Sequence, residues 1–476
     1  MKFTLPVFCV FLTLSSFAAV KDSTCTIYGT APGREGNVIQ VLEYDDYITY
    51  TEEKLAETVV GDSGKFSLSF DIGEVTNVFL RCKNVHGFLF AEPGRNIEVM
   101  LPERDSLLQL NPNVDYKVPV NVTIDLDDST DMNFLASDYN WRFNTWWDTM
   151  FVYFVTKQSM KPMNDFHAHM DSLYARVKNP YFKPWMDYSM ASIEDATFNN
   201  QVTLAKKYLD GKPVYYHNSE YMEFFNSFFK DYLYRWSMRK EGEGISFAIN
   251  MRGSYDSLMG VMKHLPWMEN DSIRELVMLK GLFELYNNPA FDPGNILSIA
   301  QQASVRSKIS ESRRIARNIL RYYTKLKNGT AAPHFLVITR KDELVDPLDQ
   351  YKGKFIYLFF YDTKNPASMA EYRYMSELQK RYRKVVFVSV SVDDDTAAWK
   401  KFLKTNPKYN WPNYHYDFRQ KTRDDYNLYS TPSGFLIDPD GNLYASPADN
   451  PSGDLEFMLY KICYPKKPAL QRPGDR

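Results

Sequence analysis

The sequence predicts a multidomain protein with an all-β region first, an all-α region in the middle and an α/β region last. Apolar and polar residues alternate at many positions between residues 25 and 101, which is the pattern of half-buried strands. From Asp131 to about Leu326 the apolar residues recur at helical spacing instead. Further on, Lys354–Glu371 has the pattern of a buried strand, a short turn and the start of a helix.

We place the domain boundaries where these patterns change. The first boundary follows a signal-peptide pattern, and the last helical segment ends at Asn328-Gly329. The expected divisions are residues 1–18 as signal peptide, 19–127 as β domain, 128–328 as helical domain, 329–465 as α/β domain and 466–476 as a tail. A chain of 476 residues has room for two to four such domains.

The first 18 residues have the composition of a secretory signal peptide. Lys2 precedes an apolar run that ends at Leu14, and Ser16-Phe17-Ala18 has the small-x-small form of a cleavage site. An uncleaved membrane anchor is the alternative, but the run is short for a span. We therefore expect an exported protein of the periplasm or cell envelope, with no integral membrane span after signal cleavage.

Charge and motif content exclude several classes of function. A formal net charge of -2 gives no reason to expect a nucleic-acid partner. No glycine-rich phosphate loop or Gly-x-Ser-x-Gly elbow is present, so no cofactor is predicted. His167 and His169 are two residues apart and point to different sides of a helix, and the other histidines are scattered. No metal site is predicted from them.

The β region has strands separated by turn residues. Phe66, Leu68 and Phe70 alternate with serines after the turn Asp62-Ser63-Gly64, and Glu92-Pro93-Gly94 precedes the last alternating run. The "GKF" after the first turn and the "EPG" before the last strand resemble a small antiparallel β-sandwich domain of unknown function. That domain precedes thioredoxin domains in many exported proteins of Bacteroides-type bacteria, and the resemblance implies a spacing or binding module. A further strand is expected from Val118 to Leu126, confined to an edge by Pro119.

Three cysteines remain if the signal peptide, which contains Cys9, is removed. Cys25 and Cys82 fall in the β domain and Cys463 near the C-terminus, so at least one thiol has no intramolecular partner. A disulfide between Cys25 and Cys82 and two buried thiols are both open at this stage.

The middle region is divided by proline and glycine into six or more predicted helices. Ser129, Thr130 and Asp131 are candidate caps for the first one. That helix is dense in aromatic residues: Tyr139, Trp141, Phe143, Trp146, Trp147, Phe151, Tyr153 and Phe154. Aromatic residues on every side of a helix favour core packing over a binding groove.

The C-terminal region is organised around the end of one buried strand. Phe355 to Tyr361 is an unbroken apolar run, followed by the polar turn Asp362 to Asn365. Pro366 stands at the first helical position. A backbone N–H there would have no hydrogen-bond partner within the helix, so a proline is tolerated. Val385 to Val392 predicts a second, parallel strand reached by a right-handed crossover.

This turn resembles the active site of the thioredoxin superfamily, in the branch of exported thiol–disulfide oxidoreductases related to peroxiredoxins. The motif of that branch is F-W-x-x-W-C-x-x-C-x-x-E, which Phe360, Tyr361 and Glu371 match in part together with Pro366. Further matches are Ala332-Pro333-His334-Phe335, the glycine-lysine lead into the strand, and Thr431-Pro432 followed by "FLIDPDG". Asn365 and Ser368 stand at the two cysteine positions. The resemblance implies a thioredoxin-like fold without the thiolate that disulfide exchange requires.

In this family a cis proline faces the active-site turn, and the residue before it offers its backbone to an extended peptide. The resemblance therefore implies a cis Thr431-Pro432 bond and a peptide site formed by Thr431, Pro432, Asn365 and Ser368. We expect a redox-inactive protein, without catalytic residues, that binds exported proteins or peptides. The alternatives are an oxidoreductase of the cell envelope that uses a different cysteine, and a structural scaffold. The alternative to peptide binding at the turn is that Asn365 and Ser368 only cap the helix.

Overall fold

The computed structural model of the protein describes residues 23–82, 85–102, 118–125, 128–157, 161–198, 200–393, 395–416, 420–428 and 430–464. The predicted signal peptide and the tail from 466 to 476 lie outside the described residues.

Two facing sheets form the N-terminal domain. Their strands are β1 (Thr24–Thr30), β2 (Val38–Tyr44), β3 (Glu52–Val59), β4 (Lys65–Asp71), β5 (Thr76–Cys82), β6 (Val85–Ala91), β7 (Asn96–Met100), β8 (Val118–Val120) and β9 (Thr123–Ile124). One sheet has the order β4-β1-β7-β9 and the other β3-β2-β5-β6-β8. Ile27 and Leu68 from the first sheet share a buried core with Val41 from the second. The predicted β-sandwich is therefore confirmed.

The sandwich departs from the prediction in two details. The pairs β1–β7 and β6–β8 are parallel. The strands of each pair are far enough apart along the chain for the crossover connection that parallel pairing requires. The strand expected from Val118 to Leu126 is divided between the sheets, since β8 pairs with β6 and β9 pairs with β7. Leu126 itself lies outside the described residues. Pro119 is in a strand at the edge of its sheet, as predicted.

Helices form the middle domain, as predicted. They are α1 (Met132–Lys157), α2 (Lys161–Leu173), α3 (Phe182–Phe198), α4 (Gln201–Tyr208), α5 (Ser219–Phe228), α6 (Tyr232–Ser237), α7 (Glu243–Ser246), α8 (Tyr255–Met262), α9 (Asp271–Leu285), α10 (Pro293–Arg306) and α11 (Ser310–Thr324). Asp131 caps α1, because its Oδ1 accepts hydrogen bonds from the amides of Asn133 (2.7 Å) and Phe134 (3.4 Å). Among the described residues, no helix is both long and apolar enough to cross a bilayer.

The aromatic residues of α1 divide between core and surface. Tyr139 is buried, and Phe143, Trp146 and Trp147 pack against the same core in part. Trp141, by contrast, is 64 % exposed. The side chains of Phe151 and Phe154 lie outside the described residues. Core packing thus accounts for about one side of this helix rather than for all of it.

The connection between β2 and β3 joins the sandwich to the helical domain. Tyr47 and Ile48 in this loop are buried in the core that α5, α9 and α11 share. Asp46 organises the loop, because its carboxylate accepts hydrogen bonds from the amides of Ile48 and Thr49 at 2.7 Å each. It also accepts one from the Asn318 side chain of α11 at 2.8 Å. The two domains are therefore joined through a buried contact.

A seven-stranded sheet with helices on both faces forms the C-terminal domain. Its elements are β10 (Val337–Ile338), β11 (Leu344–Val345), α12 (Pro347–Gln350), β12 (Phe355–Tyr361), α13 (Pro366–Arg381), β13 (Val385–Ser391), α14 (Thr396–Thr405), β14 (Asn413–Tyr416), α15 (Gln420–Asp425), β15 (Ser433–Ile437), β16 (Leu443–Ala448) and α16 (Leu455–Cys463). The strand order is β11-β10-β14-β13-β12-β15-β16. β12 lies between parallel β13 and antiparallel β15, so it is central, as predicted.

Candidate functional site

The candidate site lies where β12 ends and α13 begins. β12 is almost entirely buried, and its last residue, Tyr361, is 0 % exposed. The chain then turns at Asp362, whose carbonyl accepts a hydrogen bond from the Asn365 amide at 3.2 Å. Its carboxylate accepts another from the Lys364 amide at 2.7 Å. The turn thus delivers Asn365 to the N-cap position of α13.

Asn365 uses both ends of its side-chain amide within the protein. Its Oδ1 accepts hydrogen bonds from the amides of Ala367 (2.9 Å) and Ser368 (3.4 Å), which caps α13. Its Nδ2 donates to the Thr431 carbonyl at 2.8 Å and to the Thr431 Oγ1 at 3.2 Å. We call this link between the turn and the proline loop the Asn365–Thr431 bridge. It joins residues 66 positions apart in the chain.

Ser368 is placed beneath the surface rather than on it. Its residue is 0 % exposed, and within the described part of the chain its Oγ has no hydrogen-bond partner. A buried hydroxyl without a partner destabilises the folded state by about 1–3 kcal/mol. The sequence placed Ser368 in a shallow groove, but a bound peptide cannot reach a fully buried side chain in this conformation.

The proline loop faces the turn, as the resemblance implied. The Thr431–Pro432 bond is cis, and both residues are partly exposed. Ser433 begins β15 and donates its hydroxyl to the Ser430 carbonyl at 2.8 Å. Because β15 pairs directly with β12, Thr431 lies opposite the turn that Asn365 closes.

A pair of carboxyl groups lies beside the turn, and sequence reasoning did not identify it. Asp393, 3 % exposed, follows β13 and accepts hydrogen bonds from the amide and hydroxyl of Thr363 at 3.0 and 2.8 Å. Its other oxygen accepts one from Ser391. Burial, followed by hydrogen bonding to the Asp393 carboxyl, raises the pKa of Asp362 to about 6. The sequence could have indicated this pair, because Asp362 and Asp393 follow two predicted parallel strands. The carboxyl ends of adjacent parallel strands meet at one edge of a sheet.

The remaining cysteines are remote from the turn in sequence and buried. Cys25 is on β1 and Cys82 on β5, in different sheets of the sandwich, and both are thiols rather than a disulfide. Of the two alternatives that the sequence left open, the structure has the two buried thiols. Burial raises the pKa of Cys25 to about 11, which is the opposite of what a nucleophilic thiol needs. Cys463 is buried at the end of α16.

Among the described residues, two groups of side chains have the composition of metal ligands. In the first, His167 lies with Asp171 and Asp187, but the Lys183 ammonium contacts both carboxylates at 2.5 Å. A protein cation therefore already balances these carboxylates. In the second, His334 lies with Asp346 and Asp349, and the Asp346 carboxylate also caps α12 through the Leu348 amide. Neither group is close in sequence to the turn.

Comparison with known proteins places the similarity in the C-terminal domain. A family model described as thioredoxin-like matches residues 353–443. The chain is 28 % identical over 155 residues to the thiol-disulfide oxidoreductase ResA of Bacillus thuringiensis, which covers 30 % of this chain and 83 % of that protein. It is 30 % identical over 149 residues to the ResA of Bacillus cereus, covering 29 % and 80 %. A solved thiol:disulfide interchange protein from Bacteroides sp. is 22 % identical, with 31 % of this chain and 97 % of that chain covered and a TM-score of 0.28.

Proposed function

The chain belongs to the family of thioredoxin-like thiol–disulfide oxidoreductases through its C-terminal domain, and from that premise we propose that this domain binds extended peptides without exchanging disulfides. The peptide would lie along the loop that contains Thr431 and Pro432. The absence of chemistry would follow from Asn365 and Ser368, which occupy the two cysteine positions of the family motif.

The observation that carries the redox part of the proposal is the environment of Asn365. Disulfide exchange begins when a thiolate attacks a disulfide sulfur and forms a mixed disulfide. A neutral carboxamide cannot form that bond. The Asn365 amide is also engaged at both ends, with the start of α13 and with Thr431. Ser368, at the position of the second cysteine, is fully buried and carries no thiol.

The other thiols are poor substitutes for the missing pair. Cys25, Cys82 and Cys463 are buried, and burial raises the pKa of Cys25 to about 11. A reactive cysteine requires partial exposure and a lowered pKa. This supports a binding role over the alternative of an oxidoreductase that uses a different cysteine.

Peptide binding rests on the backbone of Thr431. An extended peptide pairs with a free backbone edge by main-chain hydrogen bonds and needs no cysteine. The Thr431 residue is partly exposed in the loop beside the turn. Its carbonyl already accepts a hydrogen bond from Asn365, however, which favours a second candidate, a structural scaffold in which the bridge only holds the domain together.

We further propose that the protein is exported to the periplasm or cell envelope. This rests on the signal-peptide pattern of Met1 to Ala18. Its partners would then be exported proteins or peptides. Replacing the apolar run before Leu14 with charged residues should keep the protein in the cytoplasmic fraction. An unchanged distribution after fractionation would contradict export.

A disulfide-reduction assay tests the redox part. The full chain should reduce insulin no faster than the uncatalysed reaction, whereas the double change Asn365→Cys and Ser368→Cys should introduce turnover. The helix N-terminus would lower the pKa of the new thiol at position 365. Turnover by the unchanged chain would contradict the proposal, and loss of that turnover in Cys463→Ser would favour the oxidoreductase that uses a different cysteine.

A bulky substitution beside the loop separates peptide binding from the scaffold. Ala367 is exposed in the first turn of α13, and Glu377 is exposed further along the same helix. On an array of extended peptides, Ala367→Trp should abolish the binding that the unchanged chain shows, and Glu377→Trp should preserve it. Equal binding by both variants, or none by the unchanged chain, would favour the scaffold.

A further inference from the structure

The strand β4 is an unprotected sheet edge of the sandwich. It pairs with β1 on one side, and among the described strands none pairs with its other side. Its register with β1 runs without a bulge from Lys65 to Asp71. An edge of this kind presents main-chain N–H and C=O groups with which another strand can pair.

The other sheet edges in the described part of the chain have features that oppose strand addition. β3 is rich in charged side chains and has a bulge opposite Val41 and Leu42. β8 and β16 each contain a proline, Pro119 and Pro447 respectively. β9 and β11 are only two residues long each. β4 has no proline and no bulge, and its charged residues are confined to its two ends.

The outward main-chain groups of β4 belong to every second residue. The Ile72 amide donates to the Ser23 carbonyl at 2.9 Å, one position beyond the end of the β1–β4 ladder. Hydrogen-bonded pairs alternate along an antiparallel ladder, so the even-numbered residues of β4 bond to β1. The odd-numbered residues direct their main chain away from β1. One of these outward groups, the Lys65 carbonyl, accepts a hydrogen bond from the Gly61 amide at 2.9 Å.

The sequence of β4 is symmetric about its central residue. It reads KFSLSFD, so Leu68 is flanked by two serines and then by two phenylalanines, and the end residues have opposite charges. Antiparallel pairing of two copies about Leu68 places Ser67 opposite Ser69 of the second copy. It also places Lys65 opposite Asp71, and a twofold axis makes each contact occur twice. Residues with outward main-chain groups thus face one another, as a hydrogen-bonded ladder requires.

Side-chain burial in β4 fits the same arrangement. Phe66, Leu68 and Phe70 are buried in the sandwich core, whereas the serines and the charged ends are exposed. The opposite charges of two paired copies therefore meet on the solvent-exposed face of the sheet, where directly opposed charges attract. Asp71 is already positioned on that face, because its carboxylate accepts a hydrogen bond from the Thr24 hydroxyl at 2.8 Å.

We propose that β4 is a dimer interface, at which a second copy of this chain adds its own β4 in antiparallel orientation. Two four-stranded sheets then form one continuous sheet across a twofold axis. The pairs between Ser67 and Ser69 supply main-chain hydrogen bonds. Lys65 forms an ion pair with Asp71 of the second copy at each end of the interface. This surface lies in the sandwich, so the proposal does not depend on the peptide site of the C-terminal domain.

Sedimentation velocity of the full chain over a range of concentrations tests the interface. We expect a monomer–dimer equilibrium with a dissociation constant of about 10 µM or tighter. Ser67→Pro removes an outward N–H and leaves the ladder with β1 intact, so it should weaken the dimer by at least about tenfold. A chain that stays monomeric up to about 100 µM leaves the edge to a peptide strand or to none, and overturns the proposal. A dimer that Ser67→Pro does not weaken also overturns it.

A charge exchange tests the register without a proline. Lys65→Asp alone and Asp71→Lys alone each place like charges opposite one another, and each should raise the dissociation constant by about tenfold. The double variant restores opposite charges and should return the constant to within about threefold of the native value. Lys352→Asp, at an exposed lysine of the C-terminal domain, is the matched control and should leave it within about twofold. Single variants that match the control, or a double variant no tighter than the single ones, would overturn the proposed pairing.

Discussion

Replacing Asp362 with Asn removes the carboxyl group that titrates beside the start of α13. Burial, then the hydrogen bond and charge of Asp393, raise the pKa of Asp362 from an ordinary 3.8 to about 6. Since the folded-state pKa exceeds the unfolded value, the folded protein binds this proton more tightly. The stabilisation is complete below pH 3.8 and is lost as the pH rises through about 6.

The magnitude follows from the size of the shift. A displacement of about two pKa units corresponds to about 3 kcal/mol of unfolding free energy in a fully buried site. Because Asp362 is only partly buried, solvent screening reduces this to about 1.5 kcal/mol. The native chain should therefore lose about 1.5 kcal/mol relative to Asp362→Asn between about pH 4 and pH 7.

Urea unfolding of the two proteins across that pH range measures the difference. Other groups that titrate there, such as Glu220 with a pKa of about 7, are present in both proteins and cancel. Asp440→Asn removes a carboxyl from an exposed turn and is the matched control for the loss of one carboxyl group. If the curves for native and Asp362→Asn protein run parallel, the pKa of Asp362 is not raised as described.

Three further substitutions test the bridge, the buried hydroxyl and the domain junction. Asn365→Ala removes both the cap and the bond to Thr431, so urea unfolding should show a loss of about 1–2 kcal/mol, and an unchanged value would contradict the bridge. Ser368→Ala removes a buried hydroxyl without a partner, so the same measurement should show no loss, or a gain of up to about 3 kcal/mol. Tyr47→Ala empties a buried site between the domains and should lower the unfolding free energy by about 3–5 kcal/mol, whereas Tyr28→Ala, at an exposed tyrosine of the sandwich, should cost less than about 1 kcal/mol.

Local features of the C-terminal domain could be predicted from the sequence. The apolar run that becomes β12 and the proline that opens α13 are adjacent in the chain, so their pattern alone indicates a strand, a turn and a helix. Capping by Asn365 follows from its residue type and position. Its bond to Thr431 could not be predicted, because it depends on a side-chain rotamer and on a partner 66 positions away.

Contacts between domains gave no signal in the sequence. Tyr47 and Ile48 lie in a short connection between two strands, where no periodicity distinguishes a buried residue from an exposed one. Asp46 and Asn318, which hold this loop against α11, are 272 positions apart. The thiols of Cys25 and Cys82 show the same limit, because sequence spacing does not say which sheet of a sandwich each strand joins.

Asparagine at the first cysteine position can keep the fold without supplying the thiol that disulfide exchange requires. A helix N-terminus requires an acceptor for its unpaired amides, and a thiolate or an asparagine oxygen can supply one. Asparagine also brings a donor, and here Nδ2 donates it to the Thr431 carbonyl. The same carbonyl is the acceptor that a peptide laid along the proline loop would use. A bound peptide must therefore either displace the Asn365 amide or pair with Thr431 through its N–H alone, which limits the proposed peptide site to one main-chain hydrogen bond at this residue while the bridge is intact.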